Sequence, residues 1–372
     1  MTLSKYKFEE IAINCTQKRF PTEEDQPLYI GLEHLDTGNL HVDRWGSPVP
    51  LKGEKLIMRK GDVLLGRRNA YLRRAAVAPH DGLFSAHGMV LQPREDVIDK
   101  EFFPLFIASD YFFDEANRIS VGSLSPTINW KDLRSVEFEI PSMEKQRELA
   151  KVLWAMDTTK RSYQKLLQKT DELAKALFIE MFGDPITNPM EWETKPLSDV
   201  APEVQYNGVF GDIVWLLNLD MVESNTGRII EKLRVPIETV GSSTCTFCND
   251  HVLYSKLRPY LNKVVVPDEE GYATSEMIPL KPNPTILNRT FLAHLLRSNE
   301  FVAYVTSLST GTRMPRVPMT VIRNFKCILP PIEMQNRFTA IIKQVDKSKF
   351  ELEQALAELN ATYKKIISEN LG

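Results

Sequence analysis

The sequence predicts a mixed α/β (α+β) chain. Two tandem domains related by a pseudo-twofold axis are joined by two long helices packed as an antiparallel coiled coil. Three observations carry this expectation. The 372 residues suffice for two or three domains at roughly 100 to 200 residues each. A single offset, 252 − 63 = 189 residues, relates the two halves. Each half also ends in a run without internal glycine or proline, whose apolar residues return at helical spacing.

The offset holds without a gap over most of each half. Val63-Leu64 matches Val252-Leu253, Tyr71-Leu72 matches Tyr260-Leu261, and Gly82, Pro93 and Phe102 match Gly271, Pro282 and Phe291. Ser120, Gly122, Pro126 and Arg134 then match Ser309, Gly311, Pro315 and Arg323, and Pro141, Glu144 and Gln146 match Pro330, Glu333 and Gln335. Gly183 matches Gly372, so one unit spans residues 1–183 and the other 190–372. Roughly the first sixty residues of each unit diverge, apart from Ala12 against Ala201 and Thr37-Gly38 against Thr226-Gly227. So long a period is not a solenoid repeat but a duplicated domain.

In chain order, short apolar runs bounded by Gly, Pro and Asp predict strands at 55–58, 62–65, 75–78 and 88–91. Their counterparts are 252–254, 263–266 and 277–280. A helix is expected at 102–117 and again at 290–307. After Pro141 and Pro330-Pro331 the spacing becomes that of amphipathic helices. The first carries Leu149, Val152, Leu153, Met156 and Tyr163, the second Phe338, Ile341, Ile342 and Val345. From Glu144 to Phe182 such a helix measures about 58 Å at ~1.5 Å per residue. A rod of that length needs a partner rod. The competing arrangement folds each helix back on its own domain. The resulting division is 1–143 and 184–330 for the domains, with helices at 144–183 and 331–372.

Composition excludes several classes. Hydrophobic residues at 43% and charged ones at 26% are ordinary for a folded globular chain. Four cysteines in a chain this long, and no signal peptide, predict free thiols in a reducing, cytoplasmic setting. No apolar run approaches the ~18 to 20 residues of a membrane span. Net charge of −3 means that any nucleic-acid binding uses local patches.

The residues that precede each long helix carry a family resemblance. They are Gly122-Ser123-Leu124-Ser125-Pro126 and Gly311-Thr312-Arg313-Met314-Pro315-Arg316, followed by Pro141 to Gln146 and Pro330 to Gln335. Gly-initiated loop, Pro-to-Gln segment and long helix, occurring twice, strongly resemble the DNA-specificity subunit of Type I restriction-modification systems across essentially the whole chain. The resemblance implies two target-recognition domains, each reading half of a split site in double-stranded DNA. It implies helices that act as a ruler and bind two methyltransferase subunits, with motor-nuclease subunits joining for restriction. S-adenosylmethionine would sit on the methyltransferase, and ATP and magnesium on the motor-nuclease, with no cofactor in this chain. The first unit departs from the pattern, with Leu124 and Thr127 where the second has Arg313 and Arg316. A helix of about 58 Å matches about 17 base pairs at ~3.4 Å each.

Duplex recognition needs cations for phosphates, and forked or amide side chains with planar groups for bases. Arg67, Arg68, Tyr71, Arg73 and Arg74 supply such a cluster after one strand, and Lys256, Arg258, Tyr260 and Lys263 after its twin. The bland alternative is a solvated strand edge. Ser123 and Ser125, with Thr312, Arg313 and Arg316, form a second candidate in the Gly-initiated loops, against the reading of a plain turn. Lys18, Arg19, Asn39, His41, Arg44 and Trp45 lie in the divergent stretch, where base-reading residues belong if the halves read different sequences.

Cys245-Thr-Phe-Cys248 with His251 is half of a zinc motif with no second pair, so incidental cysteines are the better expectation. Phosphate-binding Gly-x-x-x-x-Gly-Lys-Ser/Thr, His-Glu-x-x-His and Gly-x-Ser-x-Gly are absent, as is an Asn-Pro-Pro-Tyr methyltransferase signature. Asp62 and Glu54 have no acidic counterparts in the second unit, which disfavours a nuclease. The expectation is a non-catalytic recognition subunit. The alternatives are a protein-interaction scaffold on a coiled-coil spacer and a specificity subunit serving methylation alone.

Overall fold

The computed structural model describes residues 3–371. Gly372, the repeat counterpart of Gly183, lies outside the described residues. Two compact units divide the chain. One takes residues up to Tyr163 and resumes from Ala355, and the other runs from Gln164 to Gln354.

In the first unit the fully buried strand Val63–Gly66 is central, pairing antiparallel with Ala75–Val77 on one side and Gly88–Pro93 on the other. A strand with no exposed residue has both faces covered, which is why this run reads as continuously apolar. Ala12–Cys15 adds to the far edge, and a second sheet holds Lys18–Arg19, Lys55–Met58 and Gly82–Phe84. Leu3–Lys7 pairs with Glu137–Pro141 and leads the chain to the long helix Met143–Phe182.

The second unit repeats this order to the residue. Val63 faces Leu91 across the first sheet, and Val252 faces Leu280 across the second, both 189 positions on. Only the divergent segment differs. Where the first unit has a 3-10 turn at Glu23–Leu28, the second builds the strand Ile213–Leu217, which pairs with Leu233–Pro236 and joins its sheet.

Each single helix expected after the strands is two. Phe102–Ile107 is followed by Asp110–Arg118, and Arg289–Arg297 by Asn299–Ser307. The break falls on Ser109 and Ser298. Each hydroxyl accepts the amide of the residue three along, Phe112 at 3.1 Å and Phe301 at 3.2 Å, and so caps a new helix. Helical spacing continues across the break, so periodicity alone reads the pair as one.

Both units pack the start of one long helix beside the end of the other, the antiparallel arrangement that the spacing predicts. In the first, Leu149 and Leu153 share a core with Ile367 and Leu371, against Phe102 and Phe106. In the second, Phe178 and Phe182 share one with Phe338 and Ile342, against Phe291. There, four phenylalanine rings meet with centroids 4.8 to 5.7 Å apart. Each domain core is thus closed by both helices. Among the described residues no helix is long and apolar enough to cross a membrane.

Candidate nucleic-acid interface

The central strand of each unit runs into a strained turn. Asn69 and Arg258 adopt the left-handed region at φ 54° and 50°, a single 3-10 turn follows, and Arg73 and Asn262 close it at φ 47° and 50°. Such conformations cost non-glycine residues of order 1–3 kcal/mol and gather at functional sites. Here they occur twice, at equivalent positions. The turn pushes Tyr71 and Tyr260 outward, 59% and 49% exposed.

The second candidate segment lies against the first. Val121 and Thr127 exchange backbone bonds of 3.1 and 3.0 Å around Gly122, and Thr310 and Arg316 two of 2.9 Å around Gly311. These glycines sit at φ 111° and 100°, where a side chain is strained. The amide of Ala70 donates to Pro126 O, and that of Ile128 to Arg67 O at 2.9 Å. In the second unit Arg258 donates to Pro315 O at 2.7 Å and Val317 to Lys256 O at 2.9 Å. Segments some sixty residues apart thus form one surface, joined in both units by the same pair of segments.

Side-chain partners divide the predicted residues. Arg68, Arg74, Tyr71 and Ser123, with Lys256, Tyr260, Thr312 and Arg313, make no side-chain hydrogen bond or ion pair among the described residues, and neither does Lys18. Arg67 and Arg258 each keep a buried Nε without an acceptor. Buried polar atoms of this kind call for a partner that the protein does not supply.

The others are engaged within the protein. Arg73 bonds Asp110 and Asp114 at the start of the following helix. Lys263 donates to Leu219 O at 2.6 Å, and burial pulls its ammonium below the usual lysine range. Arg316 holds Glu276 at 2.7 Å, and Ser125 donates to Asn69 Oδ1 at 2.9 Å. Arg19 forks onto Asp25, holding that carboxyl down at about 2, and Arg44 forks onto Asp36. The stretch around Arg44 is also tied to the first long helix, by His41 to Asp157 at 2.5 Å and Asp43 to Arg161 at 2.7 Å. Trp45 sets its ring edge to His80.

Sequence reasoning missed His87. It lies on the turn between Gly82–Phe84 and Gly88–Pro93 and lines a hollow of about 480 Å³ with Arg68, Asn69, Arg74, Ser125 and Glu33. The available signal was the repeat itself, which puts Glu276 at the equivalent position.

The cysteines are packed. Cys245 Sγ donates to Met277 O at 3.3 Å, and burial pushes its thiol up to about 11 and that of Cys327 to about 12. Cys248 Sγ stands 3.3 Å from His251 Nδ1, whose other nitrogen is 2.8 Å from Val204 O, and both Cys248 and His251 are buried. Among the described residues no cluster of three His, Cys, Asp or Glu is placed to hold a metal.

Each unit also carries an equivalent groove between domain and helices. In the first it has about 830 Å³, between Thr37, Ser109 and the helix residues Tyr363, Lys364 and Ile367. In the second it has about 480 Å³, between Thr226, Ser298 and Ala174, Lys175 and Phe178, the same positions by the repeat.

The family described as the Type I restriction modification DNA specificity domain matches residues 46–170 and again 239–361. The chain is 23% identical to the EcoDI Type I restriction enzyme specificity subunit of Escherichia coli, over 40% of this chain and 34% of that subunit. With the MjaVIII specificity subunit of Methanocaldococcus jannaschii it shares 20% identity over 89% of this chain and 84% of the other. Among solved structures, the S subunit of a Type-I restriction-modification system from M. genitalium superposes with a TM-score of 0.60 at 12% identity, over 100% of this chain and 96% of that one. A chain from a study of the assembly and conformational transition of a type I R-M system gives 0.57 at 17% identity, over 99% and 97%.

Proposed function

The chain belongs to the Type I restriction modification DNA specificity family, and from that premise we propose that it is the non-catalytic subunit reading a bipartite DNA site for adenine methylation and restriction by its partners. The observation that carries this reading is the paired strained turn, which recurs at equivalent positions in both units with an outward tyrosine and unpaired cations beside it. Cations without internal acceptors meet phosphates, which fix register, and exposed planar and amide groups reach bases. The recognition domains are residues 1–143 and 184–330. The long helices set the distance between half-sites, and the two equivalent grooves take one methyltransferase subunit each. Motor-nuclease subunits with ATP and magnesium complete restriction in the cytoplasm, and S-adenosylmethionine is bound by the methyltransferase.

Deleting the gene and sequencing modified adenines at single-base resolution tests the assignment. Loss of one split motif is expected. An unchanged methylome in a strain expressing the partners refutes it and favours a protein scaffold. A finer check compares two arginines. Arg313→Ala is expected to make the salt dependence of duplex binding shallower by about one unit of log–log slope at unchanged stability. Arg73→Ala is expected to leave that slope alone and cost about 1 kcal/mol or less, since its carboxylate partners are exposed.

A further inference from the structure

Building on the DNA reading, we propose that the hollow of the first unit seats a single backbone phosphodiester through Arg68, Arg74 and His87, and that the second unit has no equivalent seat, so the two half-sites are held by different chemistry. Arg68, Arg74 and His87 face one cavity of about 480 Å³, and none has an acceptor for its side chain among the described residues. The carboxylate on the wall, Glu33, makes no ion pair with either arginine among the described residues. The cavity is rimmed by Asn69 and Ser125, which bind each other and so hold the strained turn against the glycine loop. Two guanidinium groups and an imidazole around a polar hollow match the charge and hydrogen-bonding needs of a phosphodiester.

The repeat shows what the second unit does instead. Leu257 replaces Arg68. Lys263 replaces Arg74 and spends its ammonium on Leu219 O. Glu276 replaces His87 and neutralises Arg316. In place of two unpaired arginines and an imidazole, the equivalent position holds a leucine, a lysine already bonded to a carbonyl and a carboxylate. The second unit is left to grip through Lys256 and its exposed Arg313.

The seat also makes the first half-site pH-sensitive. Burial first, then the positive charges of Arg68, Arg67 and Lys55, hold the His87 imidazole below its ordinary value. The other titratable groups on the walls are Arg74, Glu33 and Tyr29, whose phenol is pushed up mainly by burial. An anion in the hollow favours the imidazolium and raises its pKa. Binding therefore takes up a proton, strengthens as pH falls through the bound-state value, and levels off below the free-state value. Each unit of pKa raised corresponds to tenfold in affinity.

The test uses the full chain and a duplex carrying its methylated motif, at constant ionic strength, with ethylation-interference mapping of phosphates. Wild type is expected to bind about three- to tenfold more tightly at about pH 6 than at about pH 8. His87→Gln is expected to be flat at the high-pH affinity. Arg74→Gln, with an unchanged melting temperature, is expected to lose interference at one phosphate of one half-site, the other half-site keeping its pattern. A wild-type pH profile in His87→Gln, or an unchanged interference map in Arg74→Gln, overturns the proposal. So does a His87 NMR titration that moves with inorganic phosphate but not with duplex, which would make the seat one for a free anion. Absence of any duplex binding by the wild type would instead refute the DNA reading itself.

Discussion

Replacing Gln335 by leucine is expected to lower the stability of the second unit by about 3–6 kcal/mol, read as a fall in its urea midpoint. The side chain is fully buried at the root of the second long helix. Its oxygen accepts the amide of Asn288 at 2.8 Å, and its nitrogen donates to Ile286 O at 3.0 Å and Pro330 O at 2.7 Å. Asn288 in turn caps the helix Arg289–Arg297. Leucine fills a similar volume but strands one donor and two acceptors, at about 1–3 kcal/mol for each buried group left unpaired. Gln146 does the same in the first unit, with the amide of Asp99 at 2.7 Å and Pro141 O at 2.9 Å, so Gln146→Leu is expected to act there alike. A loss below about 1 kcal/mol in both variants would mean that these bonds do not fasten domain to helix.

Phe178→Ala is expected to cost about 3–5 kcal/mol in the same unit, the range for emptying a packed aromatic site. Phe178 is buried among Phe182, Phe291 and Phe338, so its loss opens a cavity where both helices meet the recognition core. The control is Phe350→Ala on the same helix pair, which is exposed and expected to stay within about 0.5 kcal/mol of wild type. Equal losses in the two variants would show that the ring cluster has no special weight. Thermal or urea unfolding followed by tryptophan fluorescence distinguishes the cases, the units being scored separately because one two-state transition need not describe both.

The sequence marks both candidate segments. It does not mark which of their side chains stay unpaired. Arg73 and Arg74 are neighbours of identical type, yet one is clamped by Asp110 and Asp114 and the other faces the hollow. Their partners come from helices and loops dozens of residues away, at no fixed spacing. In the sequence His87 is a lone histidine between two strands. Its meaning depends on Arg68 and Arg74 arriving from another strand end, and on Glu276 standing in its place in the second unit.

By itself the sequence determined the duplication, the two long helices, several of the central strands and the family, because each is written as a local period or as a register between the halves. Only the tertiary structure decided which cations remain free, where the expected helices break, how the two candidate segments join and what Gln146 and Gln335 hold. These depend on hydrogen bonds and ion pairs between distant residues. Such contacts follow from chain geometry after folding, and leave no periodic trace along the chain.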